Sequence, residues 1–189
     1  MLNLTTQIRL ANPADAPRLA VLATQVWTHT YAKQGINDEI ASYVLKNLTP
    51  AYFLQFIQQA SQQLLVAEHQ QHLLALALVD TDSACPTCDA SHVELKTLYV
   101  QAHFAGNGLG TALLQRAGQL AAAQGSRLWL SVNAENSKAM QFYQKHQYQQ
   151  CGEIFFDLGE TRHKNWIMLQ TPDTAQEPAQ RRGALSSTP

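Results

Sequence analysis

Three glycines carry the strongest chemical signal in the chain. Gly106, Gly108 and Gly110 stand in QAHFAGNGLGTALL, between an apolar run that reads as a strand and a repeat that reads as a long helix. Glycine at such a corner admits positive φ and lets a ligand approach bare main chain. The first amides of the helix point outward without partners and carry the positive end of its dipole, so they suit an anion, a pyrophosphate above all. Tight packing of strand on helix is the other use of such a turn. A dinucleotide fingerprint needs G-x-G-x-x-G after a first strand and an acidic residue about 20 residues on. Here the spacing is G-x-G-x-G, the turn follows the fourth predicted strand, and the end of the next strand offers Asn133. No Gly-Lys-Ser/Thr closes the turn, so a nucleotide P-loop is unsupported as well.

A second constellation is weaker. Cys85 and Cys88 form a C-x-x-C in CPTCDASH, with His92 four residues on. A structural zinc site needs four ligands, usually two such pairs, and Cys151 lies far along the chain in a predicted strand. No metal is expected. A redox C-x-x-C opens a helix after a strand, whereas Pro86 and the polar residues beyond Cys88 read as a surface loop between strands. Three cysteines in a chain of 189 residues also argue against a secreted disulfide framework.

The elements that must position these groups follow from periodicity. Residues 7–10 (QIRL) read as a first strand. Asn12, Pro13 and Asp15 make a helix start, and Leu19, Leu22, Ala23 and Val26 recur at helical spacing up to about Trp27. Further amphipathic stretches cover residues 38–48 and 51–63. Apolar runs at 64–68 and 72–80, joined by Gln70 and Gln71, predict an antiparallel hairpin. Residues 93–100 (VELKTLYV) are the next strand. The helix after the glycines ends near Gly125, a C-terminal cap. A strand at 127–132, a helix at 137–146 and strands at 151–158 and 165–170 complete the order. The folded domain is expected over 1–170, with 171–189 a disordered tail.

Bulk properties narrow the field. With 46% apolar residues the chain can bury an ordinary core. Lys plus Arg number 13 against 14 Asp plus Glu, so no basic field points to nucleic acid. No run approaches the length of a membrane span and the N-terminus lacks a signal pattern, which leads to a cytoplasmic expectation with no membrane partner.

Residues 94–148 contain ELKTLYV, then GNGLGTALL, then LWLSVNAENSKAMQFYQKHQY. This combination resembles the GCN5-related N-acetyltransferases (GNAT), and the resemblance in element order extends over residues 7–170. QVWTHTYA and IFFDLGETRHKNWIM are similar to the bacterial spermidine/spermine-type branch. The resemblance implies an α/β (α+β) fold: a mixed, largely antiparallel sheet of six to seven strands flanked by helices, with strands 4 and 5 splayed. It implies acetyl-CoA as co-substrate and a small amine as acceptor. Main-chain groups of Ala105, Gly106, Asn107, Gly108, Leu109, Gly110 and Thr111 would hold the pyrophosphate. Leu98, Tyr99 and Val100 would pair with the pantetheine arm as if it were another strand. Asn136 matches the Asn of the family's E-N-x-x-A-x-x-F-Y pattern and would bond the same arm; it also reads as a helix N-cap.

The chemistry implied is direct transfer in a ternary complex. An alkylamine attacks only when unprotonated, although its pKa is about 10. Glu94 matches a position of general-base carboxylates and would act through a water; its plainer reading is a strand residue paired with a nearby Lys. His92 and Glu68 are reserve candidates. Tyr143 falls where the family has the tyrosine that protonates the leaving thiolate, and it also fits ordinary core packing beside Met140. Trp27, Tyr31, Asp38 and Glu39 are candidates for the amine pocket, and the acceptor is open between a polyamine, another small amine and a peptide N-terminus. The exposed early helices and last strand offer surfaces for a homodimer. Three departures stand out. Ala105 stands where the family commonly has Arg or Gln, which leans toward weaker CoA binding or a silent CoA-binding module, and Asn107 stands where Lys or Arg is frequent, which trims positive charge near the cofactor. Gln147 stands where Gly usually ends the helix, at a cost of about 1 kcal/mol.

Overall fold

Each helix begins at a residue suited to begin it. In the computed structural model, which describes residues 6–88, 91–158 and 161–171, Asn12 caps a short 3-10 turn at Pro13–Asp15. Its Oδ1 accepts from the Ala14 amide at 3.0 Å, and Asp15 Oδ2 accepts in return from the Asn12 amide at 2.8 Å. Helix α1 (Ala16–Tyr31) follows, then α2 (Asp38–Asn47) capped by Asn37 and α3 (Pro50–Gln58) capped by Thr49. Helix α1 runs a turn beyond Trp27 because Tyr31 continues its aromatic side, the two rings lying 4.8 Å apart.

Helix α3 stops well short of the expected residue 63. Gln62 donates to the Gln59 carbonyl in a turn, and Leu64 joins the strand β2 (Gln62–His69). A continuous apolar run such as Leu64–Leu65–Val66–Ala67 suits a strand covered on both faces, and all four residues are buried. The hairpin to β3 (His72–Asp80) turns on Gln70 and Gln71 at φ 47° and 67°, the two-residue turn that suits strand twist.

Seven strands make one sheet in the order β1-β2-β3-β4-β5-β7-β6. The others are β1 (Gln7–Leu10), β4 (Val93–Val100), β5 (Leu128–Asn133), β6 (Tyr148–Leu158) and β7 (Thr161–Gln170). Every neighbouring pair is antiparallel except β4 with β5. Strands β6 and β7 start earlier than periodicity predicts. As a long hairpin at the sheet's edge they keep polar residues on open faces, where no alternation is required. Helices α4 (Leu109–Ala123) and α5 (Ser137–Lys145) cover one face over Leu65, Ala77, Leu130 and Met168. Helices α1, α2 and α3 cover part of the other over Leu64, Val66, Leu76 and Leu78. The rest of that second face is covered by the loop between β3 and β4, around Cys85, Trp129, Ile167 and Leu169. The seven-stranded, largely antiparallel sheet with flanking helices is the architecture expected. The tail expected from 171 lies outside the described residues except for Thr171. Among the described residues no helix is long and apolar enough to cross a membrane.

Candidate active site

The sheet opens between β4 and β5. Strand β4 pairs with β3 along its length, from Asp80↔Glu94 to Ala75↔Val100. With β5 it pairs only at Val93↔Leu128, Glu94↔Trp129 and Leu95↔Leu130. The opening coincides with a bulge: Leu78 faces Thr97 and Val79 faces Leu95, which leaves Lys96 as an extra residue in β4. Beyond it the edge of β4 through Leu98, Tyr99 and Val100 is free on the β5 side, while β5 runs on beside β7.

The glycine corner stands at the end of that free edge. Gly106 and Gly108 have φ of 80° and 81°, in the left-handed region where a Cβ is strained, and Gly108 caps α4. The amides of Phe104 and Ala105 are spent on the carbonyls of Gln101 and Ala102, and the helical ladder resumes at Ala112, which donates to Gly108. Among the described residues the amides from Gly106 to Thr111 meet no protein acceptor. The unpaired row therefore begins one residue after Ala105. A Cβ on Gly110 would come within 3.4 Å of the Phe142 ring and 3.7 Å of Val100, so this glycine lets α4 close on α5 and the end of β4. The side chain of Thr111 is turned away to His146, its Oγ1 lying 2.9 Å from Nε2.

Across the gap, Asn136 caps α5, with Oδ1 accepting from the Ala139 amide at 3.1 Å. This uses one of its two polar atoms and leaves Nδ2 without a partner among the described residues. Tyr143, two turns on in the same helix, is buried at 9% exposure between Phe142 and Tyr148. Burial pushes its phenol well above the usual tyrosine range, and its hydroxyl has no hydrogen-bond partner among the described residues.

Glu94 points to the opposite face from Val93 and Leu95. Its Oε2 accepts from Ser83 Oγ at 2.7 Å and lies 3.5 Å from Lys96 Nζ, while no described group binds Oε1. Lys96 also reaches Asp80 Oδ2 at 3.1 Å, and Asp80 accepts from Gln62 Nε2 at 2.6 Å. Burial alone would raise the Asp80 carboxyl; the Asp82 amide, Lys96 and Gln62 outweigh it and hold Asp80 below its ordinary value. Of the reserve bases, Glu68 is two strands away, paired with Arg9 at 2.6 Å and Arg18 at 3.6 Å, and its hydrogen bond from Arg9 holds it low. His92 is exposed just before β4.

The amine-pocket candidates divide. Trp27 is buried at 5% exposure and stacks on Tyr43 at 4.5 Å. Tyr31 leans on the same indole and is 46% exposed. Asp38 and Glu39 lie exposed in the first turn of α2. Sequence reading missed Tyr43 and Tyr52 and used Tyr99 only for its main chain; with Tyr31 these bring four phenols near one another on this face, and burial first, then these neighbours, push the Tyr99 hydroxyl up. Among the described residues no group of three or more His, Cys, Asp or Glu side chains is arranged to hold a metal ion.

A row of unpaired amides beside a sheet held open on one edge is the architecture of an acyltransferase. The chain belongs to the acetyltransferase (GNAT) family, whose sequence profile matches residues 27–148. It is an acetyl-CoA-dependent N-acetyltransferase. An uncharacterized N-acetyltransferase of Mycobacterium tuberculosis is 29% identical over 157 residues, 82% of this chain and 97% of that one. Among solved structures, the PaiA N-acetyltransferase of Thermoplasma acidophilum in complex with coenzyme A superposes with a TM-score of 0.71 at 21% identity, covering 89% of this chain and all of the other. The ribosomal-protein-S18-alanine N-acetyltransferase of Escherichia coli gives 0.63 at 16% identity over 88% of this chain and 93% of its own.

Proposed function

We propose that the chain moves the acetyl group of acetyl-CoA to a small primary amine, a polyamine or a similar metabolite, by direct attack in a ternary complex. The observation that carries this reading is the row of unpaired amides from Gly106 to Thr111 at the mouth of the β4–β5 gap. Those amides hold the pyrophosphate, the free edge of Leu98, Tyr99 and Val100 takes the pantetheine amides, and Asn136 Nδ2 bonds the arm from the other lip. Ala105 offers the pyrophosphate no donor, because its amide is spent on the Ala102 carbonyl.

The acceptor enters from the face of α1, α2 and α3, where aromatic rings suit a cationic amine. Glu94 takes the amine's proton through a water on Oε1, while Ser83 and Lys96 fix the carboxylate through Oε2. The amine nitrogen bonds the carbonyl carbon, the carbon–sulfur bond breaks, and the departing thiolate takes the proton of Tyr143, which burial keeps on the phenol. Thermal-shift titration with acetyl-CoA, followed by thiol release over a panel of diamines, polyamines, monoamines and short peptides, tests the reading. Stabilisation with thiol release on small amines is expected. Release on peptides alone would overturn the acceptor class, and no stabilisation by acetyl-CoA would overturn the binding site.

A further inference from the structure

The loop between β3 and β4 gathers all three cysteines of the chain. Cys85 and Cys88 are the opposed residues of an isolated antiparallel bridge, closed by the Cys88 amide on the Cys85 carbonyl at 3.4 Å. Opposed residues of such a bridge project their side chains to one face with Cα atoms about 4.5–5.5 Å apart, inside the window a disulfide spans. Both side chains pack against the cluster of Trp129, Ile167 and Leu169, Cys85 buried and Cys88 half-buried. Arg127, immediately before β5, sets Nη2 3.1 Å from Cys88 Sγ. From β6, Cys151 comes to the same spot: Thr87 Oγ1 stands 3.6 Å from Cys85 Sγ and 3.4 Å from Cys151 Sγ. All three thiols are free.

We propose that Cys85 and Cys88 form a thiol-oxidation site at which hydrogen peroxide converts the pair to a disulfide, with Cys88 the attacking sulfur and Arg127 its fixed counter-charge. The Cys88 thiolate attacks one peroxide oxygen; the sulfur–oxygen bond forms, the oxygen–oxygen bond breaks, and hydroxide leaves to take a proton. The Cys85 thiolate then attacks the sulfenyl sulfur; the sulfur–sulfur bond forms and the second oxygen leaves as water. Two thiols give up two electrons and two protons, and the peroxide becomes two waters. Cys151 is the slower thiol: partial burial pushes it above its ordinary value, the hydrogen bond with Thr87 does not offset this, and the neighbouring Cys85 and Cys88 thiols push it the same way, whereas only Cys88 has a guanidinium on its sulfur. The site also touches the catalytic face, since Ser83, two residues before Cys85, binds Glu94 and accepts from the Trp129 indole at 2.8 Å.

The test uses the full chain, reduced, freed of reductant and treated with one equivalent of hydrogen peroxide. Trypsin leaves Cys85 and Cys88 in one peptide, 47–96, and Cys151 in another, 146–162. The expected product is about 2 Da lighter, with the disulfide inside 47–96, Cys151 free to alkylate, and full reversal by a dithiol. Arg127→Gln slows the reaction roughly fivefold, Arg127→Lys restores part of it, and Cys151→Ser leaves the rate unchanged. Cys88→Ser, close in size to the native residue, abolishes the disulfide. A link between 47–96 and 146–162, three alkylatable thiols after treatment, oxidation confined to Cys151, or an Arg127→Gln rate equal to the native one would each overturn the assignment.

Discussion

Replacing Tyr143 by Phe separates chemistry from packing, because the structure gives the hydroxyl nothing to hold. The ring is 9% exposed and wedged between Phe142 and Tyr148, and Phe keeps all of that contact. Among the described residues only Gln62 Oε1 is a buried side-chain N or O atom without a partner, so the Tyr143 hydroxyl reaches the gap and its loss changes stability little. The melting temperature of Tyr143→Phe is therefore expected within about 1 kcal/mol of the native protein, which is a shift of about 2–4 °C at most for a chain of this size. Turnover behaves differently. Loss of a positioned general acid lowers rates about 10²–10⁴-fold, or about 2.7–5.5 kcal/mol of barrier. The dissociation constant for acetyl-CoA, measured by calorimetry, should stay within twofold of the native value, roughly the scatter expected of a site the hydroxyl does not touch. The pH profile adds a further check. An acid works while protonated, and burial moves this phenol upward, so native turnover should show no basic limb from Tyr143 below about pH 10. Unchanged turnover in the thiol-release assay would remove Tyr143 from the mechanism, and a large loss of stability would show that the hydroxyl is structural.

Four other outcomes follow from particular residues. Gln147 sits at φ 65° after α5 and keeps its bonds through the main chain, its carbonyl accepting from the Thr171 amide and hydroxyl at 2.9 Å; Gln147→Gly should stabilise by about 1 kcal/mol in chemical denaturation. Asp15 is wholly buried and accepts from Arg9, Arg18 and the Asn12 amide; Asp15→Ala removes these bonds while both arginines keep Glu68 and solvent, and should cost about 1–3 kcal/mol, which an unchanged denaturation midpoint would contradict. The Arg9 hydrogen bonds hold Asp15 and Glu68 below their ordinary values, so their contribution is present above about pH 4 and is lost as pH falls through the lowered values; in the alkaline direction, burial raises Tyr99, Tyr143 and Tyr148, and stability should fall as pH climbs above about 10. Ala105→Arg places a guanidinium beside the unpaired amides at an exposed site, and should tighten CoA roughly fivefold at low salt, with the gain fading as salt rises.

Much of the site was legible because its signals are local. The glycine corner could be read from three residues, since only a left-handed backbone at Gly106 and Gly108 and a close helix contact at Gly110 account for their spacing. Gly125 as the end of α4 and Gln147 as a left-handed cap were legible for the same reason. What sequence reading lost depends on distant pairing. Ala60 and Leu64 fit the period of α3, but Leu64 is claimed by β2, where its carbonyl accepts from Ala11 at 2.7 Å. Cys151 looked remote from the C-x-x-C because nothing in its neighbours announces that β6 crosses back under Thr87. Glu68 looked available until Arg9 and Arg18 were found on it.

The bulge in β4 joins the gap to the face of α1, α2 and α3, and it too leaves a trace in the sequence. Up to Leu95 the strand alternates with a period of two, Val93 and Leu95 facing α4. Lys96 is the extra residue, and the next side chains on that face are Leu98 and Val100, a step of three and then of two. Parity has reversed. Tyr99, which an unbroken alternation would aim at α4, instead packs with the residues under α1, α2 and α3, beside Tyr31, Tyr43 and Tyr52. The same inserted residue ends the pairing with β5 and supplies the ammonium that fixes Glu94 against Asp80. A single added residue in VELKTLYV thus ends the pairing with β5, turns Tyr99 toward the aromatic face of α1, α2 and α3 and steadies the Glu94 carboxylate, three consequences of one break in a period of two.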